Sequence, residues 1–307
     1  MDTGIFLLAQ IPPLLYATTN LIDKNLLSKY FKEGGVLTLV IFSAIASVLV
    51  LPVALFFDAD VFSFSTSNIL VMAGVSVINT ILIWAYLKAL EQDDPTVVII
   101  CYQTVPIFTF IGGYYVLGET LTTEQVLAMG VIMFGTLVAA FDIGSQTGLR
   151  LRWKTLLLMT IACVCWASEI VIFKWVAIDE TAWPAIFWTN VAQCLIGLVL
   201  LVLLRSQRET FVQKFRSSGI RIFALNTANE ALYLTGNTIS YLVAMNTAVV
   251  FVMLAQTFQA IYVFILGILA TLLFKSLHKE EYSKLAVASK VVAITITGIG
   301  SYMLLSV

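Results

Sequence analysis

Tyr16-Ala17-Thr18-Thr19-Asn20-Leu21-Ile22-Asp23-Lys24 returns later in the chain, in altered form, as Trp166-Ala167-Ser168-Glu169-Ile170-Val171-Ile172-Phe173-Lys174. Aromatic, alanine, hydroxyl, branched-aliphatic and lysine positions coincide at one fixed offset. Further along, Tyr86-Leu87-Lys88-Ala89-Leu90 aligns with Tyr241-Leu242-Val243-Ala244-Met245, and Gln103-Thr104 aligns with Gln256-Thr257 after a two-residue gap. Apolar sequences align by chance more readily than others, but paired lysines and glutamines argue against chance. The chain reads as two related halves, 1–147 and 148–307.

Both halves are made of apolar runs. Of 307 residues 60% are hydrophobic and 11% charged, and the mean hydropathy is +0.97, well outside the range of a protein whose main solvent is water. A helix rises about 1.5 Å per residue and needs roughly 20 apolar residues to cross about 30 Å of hydrocarbon. Ten stretches qualify, near 5–22, 36–56, 68–89, 96–117, 124–141, 155–176, 184–204, 220–241, 247–274 and 285–306. The expected fold is an all-α membrane protein of ten transmembrane helices. Five helices per half is an odd number, so the second half sits upside down relative to the first, the inverted-repeat design of many secondary transporters. Only Asp2 precedes the first run, which has no basic flank and reads as the first span rather than a cleavable signal.

The inventory excludes several functions. A net charge of −1 and basic residues confined to loops give nucleic acid no basic face. Cys101, Cys163, Cys165 and Cys194 lie inside apolar runs, where a thiol packs as a small hydrophobe. His278 is the single histidine, so a metal site or a Ser/His/Asp triad has no material. No metal, cofactor or catalytic residue is expected, and the protein is not expected to be an enzyme. Ile111-Gly112-Gly113 falls mid-helix and reads as a helix-packing site rather than a phosphate cradle. No ring of charge or carbonyl filter motif suggests a channel.

Polar side chains at membrane depth cost free energy and persist mainly where they line a cavity or have a partner. Asn226, Asn229, Glu230, Tyr233 and Asn237 fall at i, i+3, i+4, i+7 and i+11 of the eighth span, one stripe of a helix. That stripe must face the interior, either lining a wet path or hydrogen-bonding between helices. The sixth span carries Trp166 and Glu169 with no basic residue beside the carboxylate. Such a group suits a proton carrier or the counter-charge of a cation, or else a neutral acid bonded to a neighbouring helix. Tyr16 and Asn20, Asn79 and Tyr86, Tyr102 and Gln103, and Gln256 and Gln259 complete the candidate substrate-binding set. The repeat pairs Tyr16 with Trp166 and brings both rings toward one central cavity, where ring faces suit an ammonium or an aromatic ligand. Lys24 and Lys174, at helix ends, are expected to snorkel to headgroups, and Lys290 to lie deeper and pair with a carboxylate. Pro12-Pro13 should bend the first span, and Trp183 beside Pro184 reads as an interface anchor.

The segment Tyr16-Ala17-Thr18-Thr19-Asn20 ending at Lys24, its echo Trp166-Ala167-Ser168 ending at Lys174, and the run Pro106-Ile107-Phe108-Thr109-Phe110 through Leu117-Gly118-Glu119-Thr120-Leu121-Thr122 resemble the drug/metabolite transporter superfamily. The likeness is to its ten-helix EamA type, and Leu-Gly-Glu-x-Leu-Thr is its most specific string. With the five-plus-five organisation it covers essentially the whole chain. Two features depart from the pattern. Phe274-Lys275-Ser276-Leu277-His278-Lys279-Glu280 replaces the Gly-Glu turn in the second half, and Phe57-Asp58-Ala59-Asp60 between the second and third spans lacks the basic residues usual there. Gly118-Glu119 reads as structural, a glycine for the helix exit and a glutamate to cap the next helix.

The resemblance implies a secondary active transporter in a bacterial inner membrane, working by alternating access on a small metabolite, with Glu169 or Glu230 as the site of proton coupling. The alternative is a non-transporting receptor or scaffold. Trp166-x-x-Glu169 looks like the choline-transporting branch and favours an organic cation; the many amides and hydroxyls fit an amino acid equally well. The expected partners are a small-molecule substrate and membrane lipid, with no nucleic acid, for a monomer or homodimer. Lysines and arginines cluster after odd-numbered spans, which by the positive-inside rule puts both termini outside; the resemblance puts both in the cytoplasm.

Overall fold

The computed structural model describes residues 3–29, 35–92, 95–140, 153–179, 181–273 and 284–306, which are helical apart from short turns and contain no strand. Helices α1 (Thr3–Ala9) and α2 (Ile11–Lys29) are separated by a break at Gln10. The bend expected from Pro12-Pro13 falls just ahead of them, leaving the prolines in the first turn of α2, where a missing N–H costs no helical bond. α3 (Val36–Ala46) continues through a tight 3-10 turn into α4 (Leu51–Phe57), and α5 (Thr66–Gln92) follows. α6 (Pro95–Tyr102) and α7 (Val105–Gly112) are divided at Gln103-Thr104, and α8 is Thr123–Ala140.

The second half holds α9 (Trp153–Ala177), α10 (Ala182–Leu203) and α11 (Arg205–Ala244). α12 (Val249–Gln256) and α13 (Gln259–Leu273) are divided next to Gln256-Thr257, and α14 (Lys284–Ser306) ends the described chain. The two Gln-Thr pairs that align between halves therefore both mark helix breaks.

Among the described residues, seven helical stretches are long and apolar enough to cross a membrane: Thr3–Leu27, Val36–Phe57, Thr66–Gln92, Val98–Leu117, Trp153–Ala177, Ala182–Leu203 and Val249–Gly267. Thr123–Val138 and Val291–Ser306 are shorter apolar helices. Large apolar side chains such as Phe56, Leu70, Tyr115, Leu203 and Tyr302 face outward, a surface that suits lipid and not water. The protein is an all-helical integral membrane protein.

The spans expected at 184–204 and 220–241 leave 205–219 between them as a connecting loop, but the helix runs unbroken from Arg205 to Ala244 over 40 residues. At about 1.5 Å per residue that is roughly 60 Å, longer than a bilayer with its headgroups. Charged residues are no obstacle to a solvated helical extension, and Arg205 Nε bonds Glu209 Oε1 at 2.9 Å one turn on, the spacing that supports an exposed helix. Asp142, Arg150, Arg152, the segment 274–280 with His278, and the side chain of Lys290 lie outside what the structure describes.

Small residues set the closest helix approaches, as expected where lipid supplies no hydrophobic drive. A Cβ on Gly135 of α8 would stand 2.5 Å from Thr297 Oγ1 of α14, and one on Gly300 of α14 would stand 2.9 Å from the Ile132 nitrogen of α8. Gly112 likewise admits Val171 of α9 at 3.1 Å, so the Gly112-Gly113 pair is a packing site. Overpacking costs about 1–3 kcal/mol. Gly135→Leu and Gly300→Leu should therefore lower the melting temperature in detergent by several degrees, whereas Gly130→Leu, where a Cβ meets nothing within 4 Å, should not; equal melting of all three would contradict this packing.

Candidate functional site

The polar stripe of α11 faces inward. Asn226, Asn229 and Glu230 are buried, and Gly236 lets α11 approach α2 so closely that a Cβ there would stand 2.9 Å from the Tyr16 ring. Where α11 meets α2, α3 and α5 the helices leave a cavity of about 60 Å³, room for a few water-sized groups. α2 contributes Tyr16, Thr19, Asn20 and Asp23, one face of a helix. α3 adds Leu39 and Ser43, and α5 adds Leu82, Ile83, Tyr86 and Leu87. Asn229, Glu230 and Tyr233 of α11, Tyr102 of α6, Trp166 of α9 and Gln259 of α13 complete the wall.

The aromatic rings form one connected cluster. The Tyr16 ring centroid is 5.7 Å from both Trp166 and Tyr233, Trp166 is 5.1 Å from Tyr102, and Tyr102 is 6.1 Å from Tyr86. The repeat-paired rings Tyr16 and Trp166 thus meet edge to face. Two carboxylates share the wall. Asn229 Nδ2 donates to Asp23 Oδ1 at 2.7 Å, and Ser43 Oγ donates to Glu230 Oε1 at 2.5 Å. Tyr86 Oη donates to Asn20 Oδ1 at 2.6 Å and lies 3.1 Å from Asp23 Oδ2.

Glu169 is elsewhere. It lies behind the wall, enclosed by neutral donors: Tyr241 Oη at 2.5 Å and Asn237 Nδ2 at 3.4 Å to Oε1, and Asn79 Nδ2 at 2.9 Å to Oε2. Asn79 also donates to Tyr233 Oη at 3.2 Å, which ties this knot to the cavity wall. Trp166 and Glu169, expected to act as a pair, are thus divided between wall and knot, and Asn79 and Asn237 go with Glu169. Gln103 and Gln256 are outside the cavity as well. Gln103 Nε2 donates across to the Thr257 carbonyl at 3.3 Å and its Oε1 accepts from Thr136 Oγ1 at 2.7 Å; Gln256 Nε2 donates to Ser240 Oγ at 3.2 Å. Both serve backbone and side-chain groups around the helix breaks.

The Gly118-Glu119 turn has a larger role than capping. Gly118 adopts φ +66°, the left-handed exit that favours glycine. Glu119 then reaches not to α8, which is capped reciprocally by Thr122 and Gln125, but to α12. Its Oε2 accepts from the Val249 N–H at 3.0 Å, and its Oε1 pairs with Lys174 Nζ at 2.8 Å. Lys174 also donates to the Thr247 carbonyl at 2.8 Å. This lysine is buried and does not snorkel. Lys24, too, turns inward, donating to the Leu90 carbonyl at 3.1 Å. Elements following α7, ending α9 and beginning α12 are thereby fastened at one point.

Asp23, Ser43 and Tyr241 went unnoticed as site residues in the sequence. Asp23 continues the Tyr16 and Asn20 spacing at i+7, but stood beyond the expected end of the first span at 22; α2 runs on to Lys29. Ser43 had no periodicity to mark it. Tyr241 matched Tyr86 in the repeat, and both hydroxyls in fact serve polar groups on the helix that opens their half. Tyr241→Phe removes the shortest of the three bonds to Glu169 and should cost about 1–3 kcal/mol. The check is a lowered melting temperature beside an unchanged one for Tyr114→Phe, whose ring is exposed.

Comparison with known proteins agrees with this architecture. The EamA-like transporter family matches residues 4–141. A solved crystal structure of a protein overlays 99% of this chain and 96% of its own with a TM-score of 0.64 and 13% identity, a likeness of fold. Curated proteins yield no sequence match. The likeness to the EamA-like transporter family, part of the drug/metabolite transporter superfamily, covers the first half of the chain.

Proposed function

We propose that the protein is a secondary active transporter that carries a small metabolite, an organic cation or an amino acid, across the membrane by alternating access. The observation that carries this reading is the partly open cavity with two carboxylates in its wall, lined by α2, α3, α5 and α6 of the first half and α9, α11 and α13 of the second. A scaffold has no need of such a space. The match of residues 4–141 to a transporter family supports the same reading.

In this account the described helices make ten spans. α1–α2, α3–α4, α5, α6–α7 and α8 form one five-span repeat, and α9, α10, α11, α12–α13 and α14 form its inverted partner. Matching roles support the pairing: Lys24 and Lys174 each donate to a carbonyl near the end of the repeat's third span, and Tyr86 and Tyr241 each donate to a polar side chain on its first. Inversion sets these two lysine contacts at opposite faces of the membrane. The cavity takes in Asp23 of α2, Leu87 of α5 and Leu39 near the start of α3, toward the Lys24 side, while the Glu119–Lys174 fastening closes the other. Positive charge after odd-numbered spans orients the Lys24 side to the cytoplasm.

Glu230 on the wall and Glu169 behind it are the candidate proton-coupling groups, because each is buried without a cation within the bonds described above. Reconstitution in liposomes with an internal pH-sensitive dye tests both parts. Saturable solute exchange with accompanying proton flux is expected, with the flux lost in Glu230→Gln or Glu169→Gln. Exchange and proton flux intact in both variants would remove them from the coupling role, and absence of saturable exchange for any metabolite would contradict the carrier reading.

A further inference from the structure

Three donors of the cavity wall are engaged within it: Asn229 Nδ2 on Asp23, Ser43 Oγ on Glu230 and Tyr86 Oη on Asn20. Other groups of the wall have acceptor capacity to spare. Asn229 and Gln259 are each 2% exposed, both line the cavity, and Asn229 Oδ1 and Gln259 Oε1 accept no hydrogen bond. A carboxylate offers about four lone-pair sites, more than the donors described use on Asp23 or Glu230. No lysine or arginine stands among the residues that line the space.

Buried acceptors left unmade are costly, and carboxylates more so, so the wall is complementary to a ligand that brings N–H groups and positive charge. A quaternary ammonium brings the charge without the N–H groups. A zwitterionic amino acid brings both, together with a carboxylate that finds no cation on the wall. We propose that the cavity binds an organic cation through an N–H-bearing head group, a primary ammonium or an amidinium. The head group lies between Asp23 and Glu230 with further bonds to Asn229 Oδ1 and Gln259 Oε1, and a short apolar stem rests against Leu39, Leu82 and Leu87. This narrows the carrier reading above and rests on it. Glu169, its oxygens already occupied by Tyr241, Asn237 and Asn79, is not the counter-charge.

The test uses purified full-length protein in detergent, with the melting temperature followed against concentration of 1-aminobutane, tetramethylammonium or butyrate. Saturable stabilisation by 1-aminobutane is expected, with tetramethylammonium weaker by about tenfold or more and butyrate inactive. Asp23→Asn and Glu230→Gln should each weaken 1-aminobutane by about tenfold or more, the worth of a bond to a charged group. Gln259→Leu, which removes one open acceptor and no charge, should weaken it several-fold and serves where a carboxylate variant does not fold. Equal stabilisation by tetramethylammonium, or unchanged affinity in these variants, overturns the proposal. Amine binding without exchange in liposomes overturns the carrier reading and leaves the cation site standing. Exchange of a zwitterion with no amine binding does the reverse.

Discussion

A carboxylate at membrane depth is tolerable only where donors converge on it, and that constraint organises this protein around Glu169. Tyr241 and Asn237 come from α11 and Asn79 from α5, so the acid on α9 holds three helices in one arrangement. The bonds fix the rotation of α11 about its axis. With Tyr241 and Asn237 turned to Glu169, the same face presents Tyr233, Glu230 and Asn229 to α2 and α3. The cavity follows from that rotation, since its α11 wall is the next two turns of the stripe. Asn79 reaches both Glu169 and Tyr233, which couples the packing of the knot to the shape of the wall.

The helix breaks answer the same constraint for the backbone. A carbonyl released inside a bilayer must find a donor. At the α12–α13 break the Thr257 carbonyl takes one from Gln103, which itself sits at the α6–α7 break. Broken helices in corresponding places of two halves are a mark of transporters, where irregular backbone is tolerated next to a cavity. Here Gln259 opens α13 and lines the cavity, so one break delivers a side chain to the site. Glu119 and Lys174 fasten a different set of ends, and the pair works as one unit because each also satisfies backbone of the α11–α12 turn.

Much of this was legible in the sequence because hydrophobic length and polar spacing are direct consequences of the bilayer. Apolar length marked the long helices, and the i, i+3, i+4, i+7 spacing from Asn226 onward marked an inward face on a segment whose hydropathy alone is too low for a span. Aligning residues 16–24 with 166–174 set Tyr16 opposite Trp166, and the two rings are in contact. What stayed hidden depended on contacts between distant segments. Glu169 and Trp166 are three residues apart and look like one site, but partners on α5 and α11 draw the acid away from the ring. Lys174 at a helix end has the position of a snorkelling residue until Glu119, from the other half, is placed beside it. Asp23 was hidden by a boundary drawn too early, and residues 205–219 by the habit of reading charge as loop when a solvated helix carries charge equally well.

The two carboxylates of the wall and the one behind it have different consequences for a ligand, and that difference is the centre of this account. A structure determined with 1-aminobutane bound addresses it directly. The account predicts ligand density in the cavity with the nitrogen within hydrogen-bonding distance of Asp23 and Glu230, and Glu169 still bonded to Tyr241, Asn237 and Asn79. Density beside Glu169 with those three bonds broken, or a ligand bound outside the bundle and an empty cavity, would contradict it.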